Sequence, residues 1–574
     1  MANKDEISIF EIEGSRGGAA LGADPVVTEL IRNSLNSAAD QMKRALVRTS
    51  FSPIVYEALD FAVVLYDRNI RLLAQAPTLP TFMGTMNFCV EAAVNGAGGA
   101  DNMEPGDLVL YNWPYNTGSH AQDAAVVMPV FLEDGELVGY SACKAHWMDI
   151  AAKDPYCTDT RDVFQEGVFF PGLKIYRRGK VNEDLLAMVR ANSRMPDAVI
   201  GDLNAQVACC RVGAKELTRV INRFGRDVFN TSIELMFDHA EEATRACIEK
   251  IPDGRYSART GLDNSGLDNR KINFTLELEV SGSDVTVDLT NAPDAHPGPM
   301  NCPLPTAVCF ARVVIGALAD TLSFTNEGHF RPVRVITRKG SMYHPLPPSP
   351  CFMFGWAGMP ILEGLIKALG DALPDLVPAG SGADIMALIW WGNREGTGEP
   401  WAAGSWNPIG QGGSIHGDGS TAIHIALAFS RQGSMELWES KCPWLIESYE
   451  LATDSGGAGA NSGGCGVDLE WRLLEDCALT STIEQTKHEV FGLDGGLPGR
   501  SNRAVMITTD GKLKPFSKVT DLKVAKGSTV RLMSGGGGGH GDPAKRDPGK
   551  VHADLRAGYI SEEYARRHYP QAFS

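Results

Sequence analysis

The chain has 574 residues, 43% of them hydrophobic and 21% charged, a balance that suits a folded globular protein and excludes a disordered one. Its 53 basic and 70 acidic residues leave a formal net charge of −17, so it lacks the basic face that nucleic-acid binding requires. No stretch reaches ~18 uncharged apolar residues, and the start "MANKDEISIFEIEGSRGG" has no signal-peptide core, so neither a transmembrane helix nor a secretion signal is expected.

From Asp24 to about Thr49 the apolar spacing is helical, with Asp24 as N-cap and Pro25 at the first helical position. "DFAVVLYDRNIRLLAQA" reads as a hairpin turning at Asp67–Asn69. "DLVLYNWPY" and "DAAVVMPVFLEDGELVGYSACKAHWMDI" read as strands, the second turning at Asp134-Gly135. Helical spacing returns from about Val199 to Lys250. After Gly254 the pattern alternates, and "KINFTLELEVSGSDVTVDLT" predicts a hairpin. "AVCFARVVIGALAD" predicts a buried helix and "HPLPPSPCFMFG" a proline-rich connection. From Trp401 the chain is glycine-rich, with strands expected at "ELWES" and "GVDLEWRLLED" and a last helix capped by Ser561. The expectation is an α+β fold, large and mixed, with a β-rich C-terminal half. Three regions are expected: 1–250, 251–400 and 401–574.

The 12 cysteines include no C-x-x-C pair, and a reducing, cytoplasmic setting is expected. Adjacent Cys209 and Cys210 lie in a helical pattern and read as small buried apolar residues.

The strongest chemical signal is a pair of H-x-x-D motifs, His120/Asp123 and His146/Asp149, separated by one hairpin. Two such pairs can meet at one end of that hairpin. Imidazole with carboxylate suits zinc, iron or manganese, and spacing alone selects neither the metal nor the carboxylate that touches it. Asp60 is a further carboxylate at a strand start. His416, Asp418 and His424 fall in a Gly/Ser-rich stretch that reads as a structural loop. Asp154, Asp159 and Asp162 read as a solvated loop. There is no G-x-S-x-G elbow and no G-x-x-x-x-G-K-[ST] phosphate loop.

At these residues the sequence resembles the hydantoinase B/oxoprolinase family, from about Asp24 to Tyr569. The matching stretches run in order: "EALDFAVVLYD", "YNTGSHAQDAAVVMPVF", "KAHWMDI", "DVFQEGVFFPGLKIYRRGKVNEDLL", "NSRMPDAVIGDLNAQVA", "YELATDSGGAGANSGGCGVDLEW" and "SGGGGGHGDPAKRDPGKVHADLRAGYISEEYARRHY". The resemblance implies a hetero-oligomer in which a hydantoinase A-type, kinase-like partner holds ATP and Mg and phosphorylates a substrate carbonyl oxygen. The B-type chain would then complete the reaction at one divalent metal. It implies metal ligands at Asp60, His120, Asp123 and His146, and catalytic roles for His146 and Asp149, with Asp149 either ligating or orienting an imidazole.

The reaction it implies is hydrolysis of a cyclic amide, hydantoin or lactam. The alternatives are carboxylation of a ketone at the same site and a non-catalytic scaffold. Three departures from the family pattern stand out: Trp113 for an acidic residue, Ser462 for an arginine, and His540 for a tyrosine.

Gly536, Gly538 and Gly541 also satisfy G-x-G-x-x-G. A dinucleotide loop needs a helix directly after the third glycine, and Asp542-Pro543 follows instead. The run is therefore expected to serve close backbone packing near the active-site region.

Overall fold

The computed structural model describes residues 6–12, 24–318, 325–425 and 433–573. Within them the fold is mixed α+β, built on four sheets. The N-terminal sheet has seven strands: β1 (Phe61–Asp67), β2 (Leu72–Gln75), β3 (Leu108–Tyr111), β4 (Asp123–Phe131), β5 (Leu137–His146), β6 (Pro171–Arg177) and β7 (Lys180–Val181). Their spatial order is β2-β1-β5-β4-β3-β6-β7, and every pairing is antiparallel.

The unbroken apolar run of β1 follows from burial on both faces. Phe61, Val63 and Leu65 join a core with the helices α1 (Pro25–Thr49), α2 (Pro196–Phe224) and α3 (Arg226–Ile248). Ala62, Val64 and Tyr66 point the other way, into a core that reaches Leu532. Side chains alternate in a strand, so one register fixes both faces. The expected cap is present: the Asp24 side chain accepts from the N–H of Val26 and Val27. The expected turns at residues 67–70 and at Gly135 are also present. The pattern from Val199 to Lys250 resolves into α2 and α3, broken at Gly225 with φ 86°.

A second sheet pairs Ile7–Phe10, Val333–Arg338, Asp284–Asp288, Ile272–Ser281 and Gly254–Leu262, with the predicted hairpin at its centre. The predicted buried helix is Leu304–Leu318; Ala319 and Asp320 of that reading lie outside the described residues. Beyond residue 400 strands dominate, in the sheets containing Val467–Leu473 and Cys477–Thr482. The terminal helix Glu562–His568 is capped by Ser561 as predicted. Among the described residues, no helix is long and apolar enough to cross a membrane.

Two expectations are corrected. "ELWES" is helical, inside Met435–Lys441. The flanks decide it: the Ser434 side chain accepts from the Leu437 N–H at 3.2 Å, Glu436 sits in the first turn, and one face buries Trp438. The stretch "KDPYCTDTRD" is a loop, but not simply a solvated one. Tyr156, Cys157, Thr158 and Thr160 are buried, because the loop folds inward over the sheet end.

The glycine run lies among other glycine-rich segments and bonds to them on several sides. Gly410 and Gly413 donate to Gly535 and Gly538, Gly457 donates to Gly537, and Gly537 and Gly538 donate to Gly464 and Gly380. No side chain fits between these backbones. A Cβ at Gly537 would meet the Gln411 carbonyl oxygen at 1.9 Å, and one at Gly538 that of Phe491 at 2.0 Å. A 3-10 turn at Pro543–Lys545 follows, and the next α-helix begins only at Pro548, so the run does not open a dinucleotide-binding helix.

Candidate metal centre

Three strand ends meet at one point. Asp123 opens β4 and His146 closes β5, and the antiparallel register sets them directly opposite each other. On the other side of β5, the residue before β1 is Asp60, whose carbonyl accepts the His146 N–H at 3.1 Å. Asp60 is delivered by a tight bend: Leu59 adopts φ 60°, a strained setting for a branched side chain. His120 arrives from the loop before β4, after Gly118 with φ 76°, where a Cβ would strike Thr306 and Thr85.

His120, Asp123 and His146 each present a donor atom within 4.8 Å of the others, and all three are buried. His120 Nδ1–H donates to the Phe352 carbonyl at 2.9 Å, which leaves Nε2 facing the cluster. That Nε2 lies 3.1 Å from His146 Nδ1, and both lie against Asp123 Oδ1, at 3.4 and 2.8 Å. Asp123 Oδ2 and Asp60 Oδ1 are buried with no hydrogen-bond partner. Two orphaned carboxylate oxygens and two converging imidazole nitrogens fit a divalent cation, since buried charge without a partner is costly. Asp60 stands just outside the tight group of three, on the wall of the same cavity.

The electrostatics agree. Burial pushes Asp60 up to about 6, helped by the charge of Asp123 and opposed by His146, His120 and Lys144. Burial also acts to raise Asp123, but the two imidazoles win and hold it well below the carboxylate range. Burial acts to lower His120, and Asp123 outweighs it.

Asp149 goes elsewhere. Its carboxylate takes the Arg194 side chain at 2.6 and 3.1 Å and the Arg194 N–H at 2.5 Å, and it touches neither imidazole. Three residues that the motif reading passed over belong here. Lys144, one rung down on the same face of β5, is fully buried and donates to Thr85 Oγ1, the Thr117 carbonyl and Ser119 Oγ. Its spacing of two from His146 was the available signal. Tyr156 packs edge-on to His120 at 5.5 Å. Glu166 is buried behind His120.

The cluster opens into a cavity of about 50 Å³, lined by Asp60, His120 and His146 and by walls that include Phe82, Tyr156, Phe354, Trp356 and Trp406. A larger cavity of about 480 Å³ lies against α3 and the second sheet. Its charges are spent on one another, Arg331 with Asp238 and Glu241, Arg245 with Glu241 and Asp284, whereas the smaller cavity adjoins the orphaned carboxylate oxygens.

A family profile, hydantoinase B/oxoprolinase, matches residues 24–543. The chain belongs to the hydantoinase B/oxoprolinase family. It is 30% identical over 571 residues to the B-type component of a putative D-/L-hydantoinase from Pseudomonas sp. (strain NS671), covering 95% of each chain. It is 29% identical to the beta subunit of the caprolactamase of Pseudomonas jessenii, over 95% of this chain and 96% of that one. The crystal structure of the ATP-dependent caprolactamase of that organism superposes with a TM-score of 0.86 at 27% identity, over 96% of both chains. The hydantoinase and caprolactamase relatives are thus each named as one subunit of an enzyme.

The departures from the hydantoinase B pattern settle into structural places. Trp113 packs with Tyr115 and Phe169 at 5.3 and 4.8 Å and does not line the cavity. The backbone N–H of Ser462 donates to Asp418 at 2.7 Å. His540 Nε2 donates to the Pro374 carbonyl at 3.0 Å. Asp418 also pairs with buried Arg546, which gives that residue of the His416–His424 stretch a structural partner.

Proposed function

We propose that this chain is the metal-bearing catalytic subunit of an ATP-dependent cyclic amidohydrolase of the hydantoinase/oxoprolinase type. The substrate is a hydantoin or lactam whose carbonyl oxygen a hydantoinase A-type, kinase-like partner has phosphorylated, with ATP and Mg on that partner. The observation that carries the reading is the cluster of His120, Asp123 and His146 with orphaned carboxylate oxygens, opening into an aromatic-walled cavity. The names of the relatives support the substrate class.

Asp60, His120, Asp123 and His146 would hold zinc, manganese or iron. Such a cation supplies Lewis acidity and brings the pKa of water from 15.7 toward ~7. His120 presents Nε2 because its Nδ1–H is committed to Phe352. His146 would present Nδ1, beside Asp123 Oδ1, as the second imidazole donor. An amide resists attack because resonance weakens its carbonyl, and phosphorylation of the oxygen removes that resistance and provides a leaving group. Phe354 and Trp356 shape a pocket for the apolar part of the ring. The Tyr156 hydroxyl, kept protonated by burial, donates to a polar atom of the ring. Asp149 keeps Arg194 in place near the site rather than moving a proton.

The test is coupled turnover. The complex with its kinase-like partner is assayed for ATP hydrolysis and ring opening with hydantoin, lactam and ketone-plus-bicarbonate substrates. Lactam or hydantoin opening without bicarbonate, lost in H120A, is expected. Full turnover by H120A would sink the reading, and turnover only with ketone and bicarbonate would replace it with a carboxylase.

A further inference from the structure

Outside the donor cluster, the polar anchor of His120 among the described residues is the backbone of a distant segment. The segment begins Pro347-Pro348-Ser349-Pro350, and its prolines have no N–H to place it in a sheet. The two N–H groups after the last proline, those of Cys351 and Phe352, both point at the Glu166 carboxylate, at 2.9 Å each to Oε1. Cys351 also reaches Oε2 at 3.1 Å, and the Thr160 hydroxyl donates to Oε1 at 2.8 Å. One residue on, the Phe352 carbonyl takes the His120 Nδ1–H at 2.9 Å. The same Phe352 packs its ring against His120 at 4.8 Å and Tyr156 at 4.7 Å.

Glu166 is completely buried and pairs with no cation among the described residues. Burial pushes it up to about 8, against three donors that favour its charged form. A buried carboxylate with no ion-pair partner, placed to hold one peptide, costs stability that a merely structural contact does not require.

We propose that Glu166 is the positioning residue for His120. Its carboxylate fixes the Cys351–Phe352 peptide, the Phe352 carbonyl fixes the imidazole, and Nε2 is thereby held toward Asp123 and His146. This rests on the reading of His120 as a metal ligand. The connection runs through the backbone, so Glu166 acts two bonds removed from the donor set and touches neither cavity nor substrate.

The experiment measures Co2+ binding by the full chain, by competition with a chelating dye and by the visible absorption of the Co2+-loaded protein, with circular dichroism and Tm as fold controls. Loss of an outer partner of a metal-bound histidine costs about 10- to 100-fold in affinity. E166A is expected to lose that much and to shift the Co2+ spectrum. E166D keeps the charge but falls one methylene short of the two N–H groups, and is expected to lose at least about 10-fold. E166Q keeps an oxygen in place, and is expected to stay within a few-fold of the wild type.

If E166A does not fold, the comparison of E166D with E166Q decides. Wild-type affinity and spectrum in E166D overturn the proposal. So does a loss in E166Q as large as in E166D, since charge rather than positioning would then be at work. If the wild type binds no Co2+ at all, or binds it as tightly in H120A, the metal reading fails and the Glu166 proposal falls with it; tight binding lost in H120A but unchanged in E166A and E166D overturns the Glu166 proposal alone.

Discussion

His120 Nε2 and His146 Nδ1 face each other across 3.1 Å, both against one oxygen of Asp123. Two ring nitrogens that close, in a buried pocket with unpartnered carboxylate oxygens, form an arrangement that a cation would complete.

Metal content follows from that geometry. D123A and H146A are expected to purify without the stoichiometric metal of the wild type, read by inductively coupled plasma mass spectrometry. D60N, at the edge of the tight group, is expected to retain metal with affinity weakened about 10- to 100-fold. Metal at 100 times its Kd should stabilise the wild type by about 2.7 kcal/mol, seen as a raised unfolding midpoint. A metal-free wild type that is no less stable than the loaded one would contradict the site.

The cavity wall should set substrate choice. Trp356 is nearly fully buried, and its Nε1–H donates to Asp384 at 2.9 Å. W356A is expected to cost about 3–5 kcal/mol in stability, so W356F is the informative variant. W356F should fold and raise KM for small rings while kcat changes little. An unchanged KM across ring sizes would remove this wall from the binding site.

Two glycines make opposite predictions. At Gly537 a methyl group would collide with the Gln411 backbone at 1.9 Å, and the neighbour cannot give way; G537A should fail to accumulate as folded protein. Gly355, in the first turn of a helix, has nothing within 4 Å of an added Cβ. G355A should match or exceed the wild type in stability, by up to about 1 kcal/mol, while narrowing the cavity it lines. Chemical denaturation with a substrate series reads both effects.

Acid stability should depend on Asp263. It is buried, and burial acts to raise it, but donation from His488, the hydroxyl and N–H of Thr486, and nearby Lys518 hold it at about 2. Because the folded value lies below the unfolded one, its contribution is complete above about pH 4. It fades as the pH falls toward 2, in step with the depressed value. A drop from 3.8 to about 2 corresponds to about 2 kcal/mol. D263N should be less stable than the wild type by about that amount at pH 7, with the gap closing by pH 2 in urea titrations. A gap independent of pH would show that packing, not ionisation, is responsible.

The H-x-x-D pairs were legible because a strand register converts sequence distance into spatial contact: β4 and β5 share one turn, so Asp123 and His146 had to meet. The same logic misled at Asp149. It lies past the end of β5, where the chain is no longer bound to the strand register and turns to Arg194. Tyr156 was hidden in a run rich in aspartate that looked solvated. Glu166 left little local mark: Thr160 is a nearby partner, but the N–H groups of Cys351 and Phe352 are separated from it by 185 and 186 residues and are backbone groups. "ELWES" shows the cost of reading five residues alone, because its cap lies just outside them.

The glycine segments run on into the cavity wall. Gly382 donates to Gly410, a few residues from Ile385 and Trp406. A wall backed by ordinary side chains can breathe, because rotamers give. One backed by peptide pressed against peptide has no soft coordinate of that kind. The part of the pocket at Ile385 and Trp406 therefore behaves as an anvil, and any give in the cavity falls to the rings that line the rest of it, Phe82 and Tyr156 among them.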